Sequence, residues 1–175
     1  LPQECHCPDY MTLGELIELA GYARYGLAGG PTERDRALFA EALRTVGLED
    51  KAKAQVNTLS GGQRQRAFIA MVLAQDTDYL LLDEPLNNLD MKHAHAMMRL
   101  LNRAAHDLGK SVLVVLHDIN FASCHSDRIV ALREGRIFAT GTPAEIVAPG
   151  PLRDLYDMEI AVREIEGWRI ALFYG

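Results

Sequence analysis

Residues 58–75 read TLSGGQRQRAFIAMVLAQ, in which a glycine pair precedes an amphipathic helical pattern. Ser60 and Gln63 have the spacing of a capping box, which by itself would start the helix. That cap leaves Gly61 and Gly62 unexplained, because glycine inside a helix costs about 1 kcal/mol relative to alanine. Amide groups at a helix N-terminus bind anions, and glycine lets a phosphate approach them closely. The stretch therefore predicts a phosphate-binding helix end at these four residues.

Upstream of this stretch, the sequence predicts a pair of helices. Thr12 and Glu15 form a capping box ahead of apolar residues at helical spacing, which predicts a helix to about Arg24. After a glycine-rich loop, Thr32 is predicted to cap a second helix that ends at Gly47. The inner face of this second helix is predicted to contain Ala37, Leu38, Leu43 and Val46.

Downstream, short apolar runs alternate with helical patterns. YLLLDEP, from residue 79, and SVLVVLH, from residue 111, read as strands buried on both faces. A helical pattern occupies residues 91–108 between them. Two later strand pairs are predicted to turn at residues 134–135 and 166–167. This alternation predicts an α/β fold with a mostly parallel sheet flanked by helices.

The composition limits the classes of protein to which the chain can belong. Its 175 residues are 49% hydrophobic, which is enough for one packed domain. The net charge of −6 and the lack of a Lys/Arg run argue against nucleic acid as a partner. No apolar stretch reaches the roughly 18–20 residues that span a bilayer, and no secretory signal is recognisable. Cys5, His6 and Cys7 lack the spacing of paired metal ligands, so they are interpreted as loop and core residues of a cytosol-facing protein.

The motif LSGGQ resembles the signature motif of ATP-binding cassette (ABC) ATPases, and further motifs stand in that family's order. YLLLDEP resembles the Walker B segment, which ends in Asp83 and Glu84. NNLD resembles the D-loop and ends at Asp90, and His117 resembles the switch histidine. LPQ resembles the entry to the Q-loop, with Gln3 as its glutamine. The resemblance covers the whole chain and implies a P-loop NTPase-like fold with a helical subdomain.

The resemblance implies ATP and Mg²⁺ as ligands, with a role for each motif residue. Asp83 would hold the metal, and Glu84 would polarise the attacking water. His117 would donate to the γ-phosphate or orient that water, and Gln3 would contact both metal and water. In the family, each ATP lies between the P-loop of one cassette and the signature motif of a second. Residues 60–63 and Asp90 would therefore meet a nucleotide at the interface of a head-to-tail dimer. Each residue also has a purely structural interpretation: Asp-Glu-Pro is typical of a strand-ending turn, and a single histidine after a strand is typical of a core.

The sequence has no P-loop. LGKS at residues 108–111 is not one, because Ala104 occupies the first glycine position and the order is helix then strand. The family's P-loop precedes the Q-loop, and the chain begins with Leu1. We therefore expect the N-terminal part of the fold to be absent, and the segment alone to bind ATP weakly without hydrolysing it. The expected domain is a partial ABC ATPase over 1–175, with the Q-loop and helical subdomain at 4–75 and the C-terminal part of a RecA-like core at 76–175.

The signature, Walker B and D-loop segments, with VLHDINFASCHSDRIVALREGRI and GTPAEIV, closely resemble ATPase subunits of iron-siderophore importers and of the related haem or cobalamin importers. That implies a peripheral protein on the cytoplasmic face of the membrane, where ATP hydrolysis powers uptake. Its implied partners are a second ATPase subunit, membrane permease subunits and, indirectly, a periplasmic or extracellular binding protein. One alternative is a nonhydrolytic regulatory half of a cassette dimer, against which the intact Glu84 and His117 argue. Another is a soluble cassette acting on DNA or ribosomes, but its expected basic surfaces and insertions are absent.

Overall fold

The computed structural model describes residues 8–26, 29–87 and 89–173, so Gln3 and the Cys5-His6-Cys7 cluster lie outside the described residues. The chain divides between Val115 and Leu116 into two compact units. The first unit contains α1 (Leu13–Ala20), α2 (Tyr22–Tyr25), α3 (Glu33–Val46), α4 (Gly61–Ala74), β1 (Tyr79–Asp83), α5 (Met91–His106) and β2 (Ser111–Val115). The second contains α6 (Ile119–His125), β3 (Ile129–Arg133), β4 (Arg136–Gly141), α7 (Pro143–Ile146), α8 (Pro149–Tyr156), β5 (Ala161–Ile165) and β6 (Trp168–Leu172). The predicted subdivision at residues 75–76 stays a prediction.

The predicted starts of the first two long helices are confirmed. Thr12 Oγ1 accepts a hydrogen bond from Glu15 N at 3.3 Å, and Thr32 Oγ1 accepts one from Asp35 N at 3.2 Å. Each acidic side chain in turn accepts from the backbone of its threonine, which completes the capping box. The first helix does not continue unbroken to Arg24 as predicted. It ends at Ala20, and the C-cap Gly21 donates its N–H to Glu18 O in a tightened last turn before α2 begins.

The buried face of α3 differs from the predicted one. Leu43 and Val46 are buried as predicted, but Leu38 is only half-buried and Ala37 is exposed. The buried residues follow the helical repeat that begins at the first-turn acid, and they are Asp35, Phe39, Ala42, Leu43 and Val46. The prediction assumed that only apolar residues define the inner face. The inner face also contains the buried Asp35, which an apolar pattern alone does not predict.

The first unit is built around α4, against which both α1 and α3 pack. Side chains from several elements of this unit are almost completely buried, among them Leu13, Ile17, Leu48, Val56 and Ile69. Burying an aliphatic side chain of this size contributes about 1.5–3 kcal/mol relative to leaving it exposed. This packing fixes the direction in which the N-terminus of α4 points within the unit.

The strand pair β1–β2 is parallel, with Leu80 opposite Val112. Leu80 and Leu82 are buried, whereas Tyr79 and Leu81 are 71% and 59% exposed. The prediction that both strands are buried on both faces is therefore wrong for the described residues. Successive side chains of a strand point to opposite faces, and only one face of this pair is covered. A continuous apolar run does not reveal that difference.

The other two strand pairs are the predicted hairpins. β3 pairs with β4, and β5 with β6, in antiparallel register. Both turns place two residues at positive φ, which suits their Glu-Gly sequences: Glu134 and Gly135 at 52° and 72°, Glu166 and Gly167 at 51° and 85°. The α/β class is confirmed, but the described sheets are not mostly parallel: β1–β2 is a parallel pair, whereas β3–β4 and β5–β6 are antiparallel.

The core of the second unit lies between its hairpins and helices. Its most deeply buried members are Val147 and Leu152, and Ile146, Ile160 and Ala171 pack with them. Thr142 and Glu145 form a capping box with Pro143 at the first helical position, as the sequence predicts. Nowhere in the described ranges does a helix have both the length and the apolar character needed to cross a bilayer.

Candidate functional site

The N-terminus of α4, residues 60–63, is called the signature end below. The predicted capping box is present: Ser60 Oγ accepts from Gln63 N at 3.3 Å, and Gln63 Oε1 accepts from Ser60 N at 3.0 Å. The amides of Gly61 and Gly62 belong to the first turn, where no carbonyl within the helix can accept from them. Ser60 and Gly61 are exposed, and a Cβ on Gly61 would meet no atom within 4 Å. The signature end is thus open to a ligand that carries negative charge.

Gly62 has a close contact inside the protein. A Cβ at this position would lie 2.7 Å from Cδ2 of His93, so the ring could not stay where it is. The sequence predicts that both glycines allow a phosphate to approach the helix end, and it does not predict the contact of Gly62 with His93. The i, i+3 spacing of Asp90 and His93 could have suggested a local contact, but no local pattern links His93 to Gly62.

Asp90 is the N-cap of α5. Its Oδ1 accepts from His93 N at 2.8 Å and lies 2.7 Å from His93 Nδ1. The backbone bond, and then the side-chain bond, lower the pKa of Asp90 below its usual value. A carboxylate at a helix N-terminus also interacts favourably with the helix dipole. Asp90 is therefore held ionised beside the first turn of α5.

The two predicted Walker B carboxylates lie at the end of β1. Asp83 is exposed, and Glu84 is half-buried with φ of 46°, in the left-handed region that non-glycine residues seldom adopt. Asn87 Nδ2 donates to Glu84 Oε2. Such backbone conformations persist where the surroundings over-determine them, and they cluster at functional sites.

The loop after β1 contacts α4 directly, because Gln65 Nε2 donates to the carbonyl oxygen of Pro85. The first unit thus brings together the signature end, Asp90 through His93, and the segment that follows Glu84. Neither Gln65 nor His93 is among the residues to which the sequence motifs point.

His117 belongs to the second unit, where it is exposed in the segment before α6. The next residue, Asp118, caps that helix: its Oδ1 accepts from Asn120 N at 2.7 Å and from Phe121 N at 3.2 Å. Gln3 lies outside the described residues. The roles of both stay predictions.

The donor set suits a metal that is shared with a nucleotide. Within residues 8–26, 29–87 and 89–173, no three His, Cys, Asp or Glu side chains form a metal-binding group. Mg²⁺ at phosphate sites commonly takes one or two protein carboxylates, and its other ligands are waters and phosphate oxygens. The exposed carboxylate of Asp83 fits that pattern.

Comparison with known proteins gives consistent matches. The profile of the family described as "ABC transporter" matches residues 1–87. The petrobactin import ATP-binding protein YclP of Bacillus subtilis (strain 168) is 49% identical over 159 residues, covering 90% of this chain and 63% of that protein. The ferric enterobactin transport ATP-binding protein FepC of Escherichia coli (strain K12) is 38% identical over 162 residues, covering 93% and 60%.

A solved structure agrees with these sequence matches. The ATP-binding cassette MJ0796, in a dimeric post-hydrolysis state bound to ADP and Pi, superposes with a TM-score of 0.65 at 34% identity. The match covers 81% of this chain and 60% of that one. The chain therefore spans less than two thirds of the length of these relatives.

Proposed function

Because the chain belongs to the ABC transporter family, we propose that it forms the signature-bearing part of an ATP-binding subunit that powers import of iron-siderophore complexes. The observation that carries the proposal is the open signature end, which is held in one unit with Asp90 and with the carboxylates Asp83 and Glu84 at the end of β1. The relatives named for petrobactin import and ferric enterobactin transport support the class of substrate.

In this proposal the signature end binds the terminal phosphate of an ATP that lies on the P-loop of a second cassette. The amides of Gly61 and Gly62 and the hydroxyl of Ser60 supply the donors. Gln63 keeps the cap closed by accepting from Ser60 N. Asp90 contributes an ionised carboxylate at the same interface.

The proposed hydrolytic roles belong to the Walker B carboxylates at the end of β1, to His117 and to Gln3. Asp83 would hold Mg²⁺, which neutralises charge on the phosphate oxygens. Glu84 polarises the attacking water, and Asn87 holds the carboxylate of Glu84 in place. His117 would donate to the γ-phosphate or orient the water, and Gln3, which lies outside the described residues, would contact metal and water.

The proposed assembly is a head-to-tail pair of cassettes on the cytoplasmic face of the membrane, bound to permease subunits. The dimeric state of MJ0796 supports the pairing. A periplasmic or extracellular binding protein would deliver the iron chelate to the permease without contacting this chain.

The test uses a complete cassette, with a P-loop-bearing segment placed ahead of Leu1. Glu84→Gln should lower ATP turnover by at least about 100-fold, because general-base contributions are commonly that large. The variant should still bind ATP, as measured by equilibrium binding of labelled nucleotide. Glu164→Gln, at an exposed position of β5, is the matched control and should keep full turnover. Undiminished turnover in Glu84→Gln would remove that residue from its role.

The substrate class is tested separately in cells. The complete cassette should restore petrobactin-dependent uptake of labelled iron in Bacillus subtilis that lacks YclP, and Glu84→Gln should not restore it. If the assembled system hydrolyses ATP but takes up no iron-siderophore, the proposed ATPase activity stands and the proposed substrate class is rejected.

A further inference from the structure

We propose that His93 is a positioning residue that fixes the signature end relative to the D-loop aspartate, Asp90. The proposal rests on the proposed function, because positioning matters only if both groups meet a nucleotide. It concerns a residue outside the motifs that identified the family. Its basis is that one imidazole ring contacts the first turns of two helices.

The two edges of the ring face different partners. On one edge, Nδ1 lies 2.7 Å from Asp90 Oδ1. On the other edge, Cδ2 and Nε2 lie 2.7 and 3.2 Å from the place where a Cβ of Gly62 would stand. Since Nδ1 and Cδ2 are both bonded to Cγ and point to opposite sides, one rotamer serves both contacts.

His93 is also tied to Asp90 through the backbone, because its N–H donates to the same Oδ1. The side chain therefore cannot rotate without losing either the bond to Asp90 or the packing on Gly62. A carboxylate acceptor requires that Nδ1 carry the proton, which fixes the ring tautomer as well. Movement of the cap of α5 is thus transmitted to the signature end of α4.

This geometry gives Gly62 a role that differs from phosphate approach. At Gly61 a side chain would enter open space, whereas at Gly62 it would displace the ring of His93. The two glycines therefore make different predictions. Gly62→Ala should destabilise the protein because its Cβ clashes with the ring of His93, and removal of that ring should relieve the destabilisation.

A double-mutant cycle of Gly62→Ala and His93→Ala, called the steric cycle below, tests the contact between the two residues by thermal unfolding. Gly62→Ala should lower the midpoint in the wild-type background, since no space exists for its Cβ. In the His93→Ala background the same substitution should leave the midpoint unchanged or raise it, because alanine is the better helix former. Equal losses in both backgrounds would overturn the contact. This readout does not depend on ATP hydrolysis.

A pair of variants in the complete cassette then separates positioning from packing. His93→Phe keeps a ring beside Gly62 and loses the donor to Asp90, whereas His93→Asn keeps a donor at the Nδ1 position and loses the ring's far edge. Positioning through Asp90 predicts a kcat at least about tenfold lower in His93→Phe with an unchanged unfolding midpoint, because misplacement by about 1 Å is enough for such losses. His93→Asn should recover most of the kcat.

The matched control is His95→Ala, an exposed histidine on the same helix, which should keep the wild-type kcat. Wild-type kcat in His93→Phe, or a loss of kcat that only follows a lowered midpoint in both variants, would reject positioning. If the unsubstituted complete cassette does not hydrolyse ATP, the proposed function fails, and the steric cycle alone decides whether His93 holds Gly62.

Discussion

Asp35 is a buried acid whose charge is fully compensated. Its carboxylate accepts from Thr32 Oγ1 at 2.6 Å and from Arg24 Nε at 2.7 Å. The bonds from Thr32, and then that from Arg24, lower the pKa of Asp35 from 3.8 to about 2. The capping position could be predicted from the Thr-x-x-Asp spacing alone. The ion pair could not, because Arg24 lies on another helix.

The lowered pKa predicts a specific acid sensitivity. A depressed carboxyl pKa stabilises the folded state above the unfolded pKa near 3.8, and that stability is lost as pH falls through about 2. Asp35→Asn should be less stable than wild type at pH 6, and the difference should shrink between pH 4 and pH 2, as measured by urea unfolding. A difference that stays constant over this range would contradict the assignment.

At the scale of elements, α4 is capped at both ends by side chains. Ser60 closes the N-terminus, while Arg24 Nη1 donates to Gln75 O at 2.7 Å and Nη2 to Ala74 O at 3.1 Å. Cations at helix C-termini satisfy carbonyls that have no partner within the helix. Local spacing predicted the N-terminal cap and the starts of α1 and α3. The Arg24 cap escaped prediction for the same reason as the contact of His93 with Gly62, since both join residues distant in sequence.

Arg24 therefore serves three acceptors with a planar fork that lysine cannot reproduce. We expect Arg24→Lys to destabilise the chain by about 1–3 kcal/mol, since the part-buried carboxylate of Asp35 and carbonyl of Ala74 lose well-placed donors. The control is Arg34→Lys, whose side chain is exposed and whose 3.4 Å contact to Asp76 should contribute less than about 1 kcal/mol. Urea unfolding measures both. Equal effects would show that the bonds from Arg24 contribute no more than a surface pair.

At the scale of the whole molecule, the family and the α/β class could be predicted from motif order, but the burial of the strands could not. The run YLLLD is apolar at every position before its final aspartate, so the sequence is the same whether one face or two are covered. Leu82 is buried and Leu81 is not, although they are neighbours of identical chemistry. Coverage of a sheet face depends on the elements packed against it, and the strand itself does not encode them.

That contrast gives a matched pair of substitutions within one strand. Leu82→Ala should cost about 2–5 kcal/mol, because it removes buried methyl groups and leaves a cavity. Leu81→Ala should change stability by less than about 0.5 kcal/mol, since the side chain is 59% exposed. Leu81→Lys should also reduce self-association of the 175-residue chain, measured by light scattering, because it interrupts an exposed apolar patch shared with Tyr79 and Leu113. Similar losses of stability at positions 81 and 82 would mean that both faces of β1 are covered.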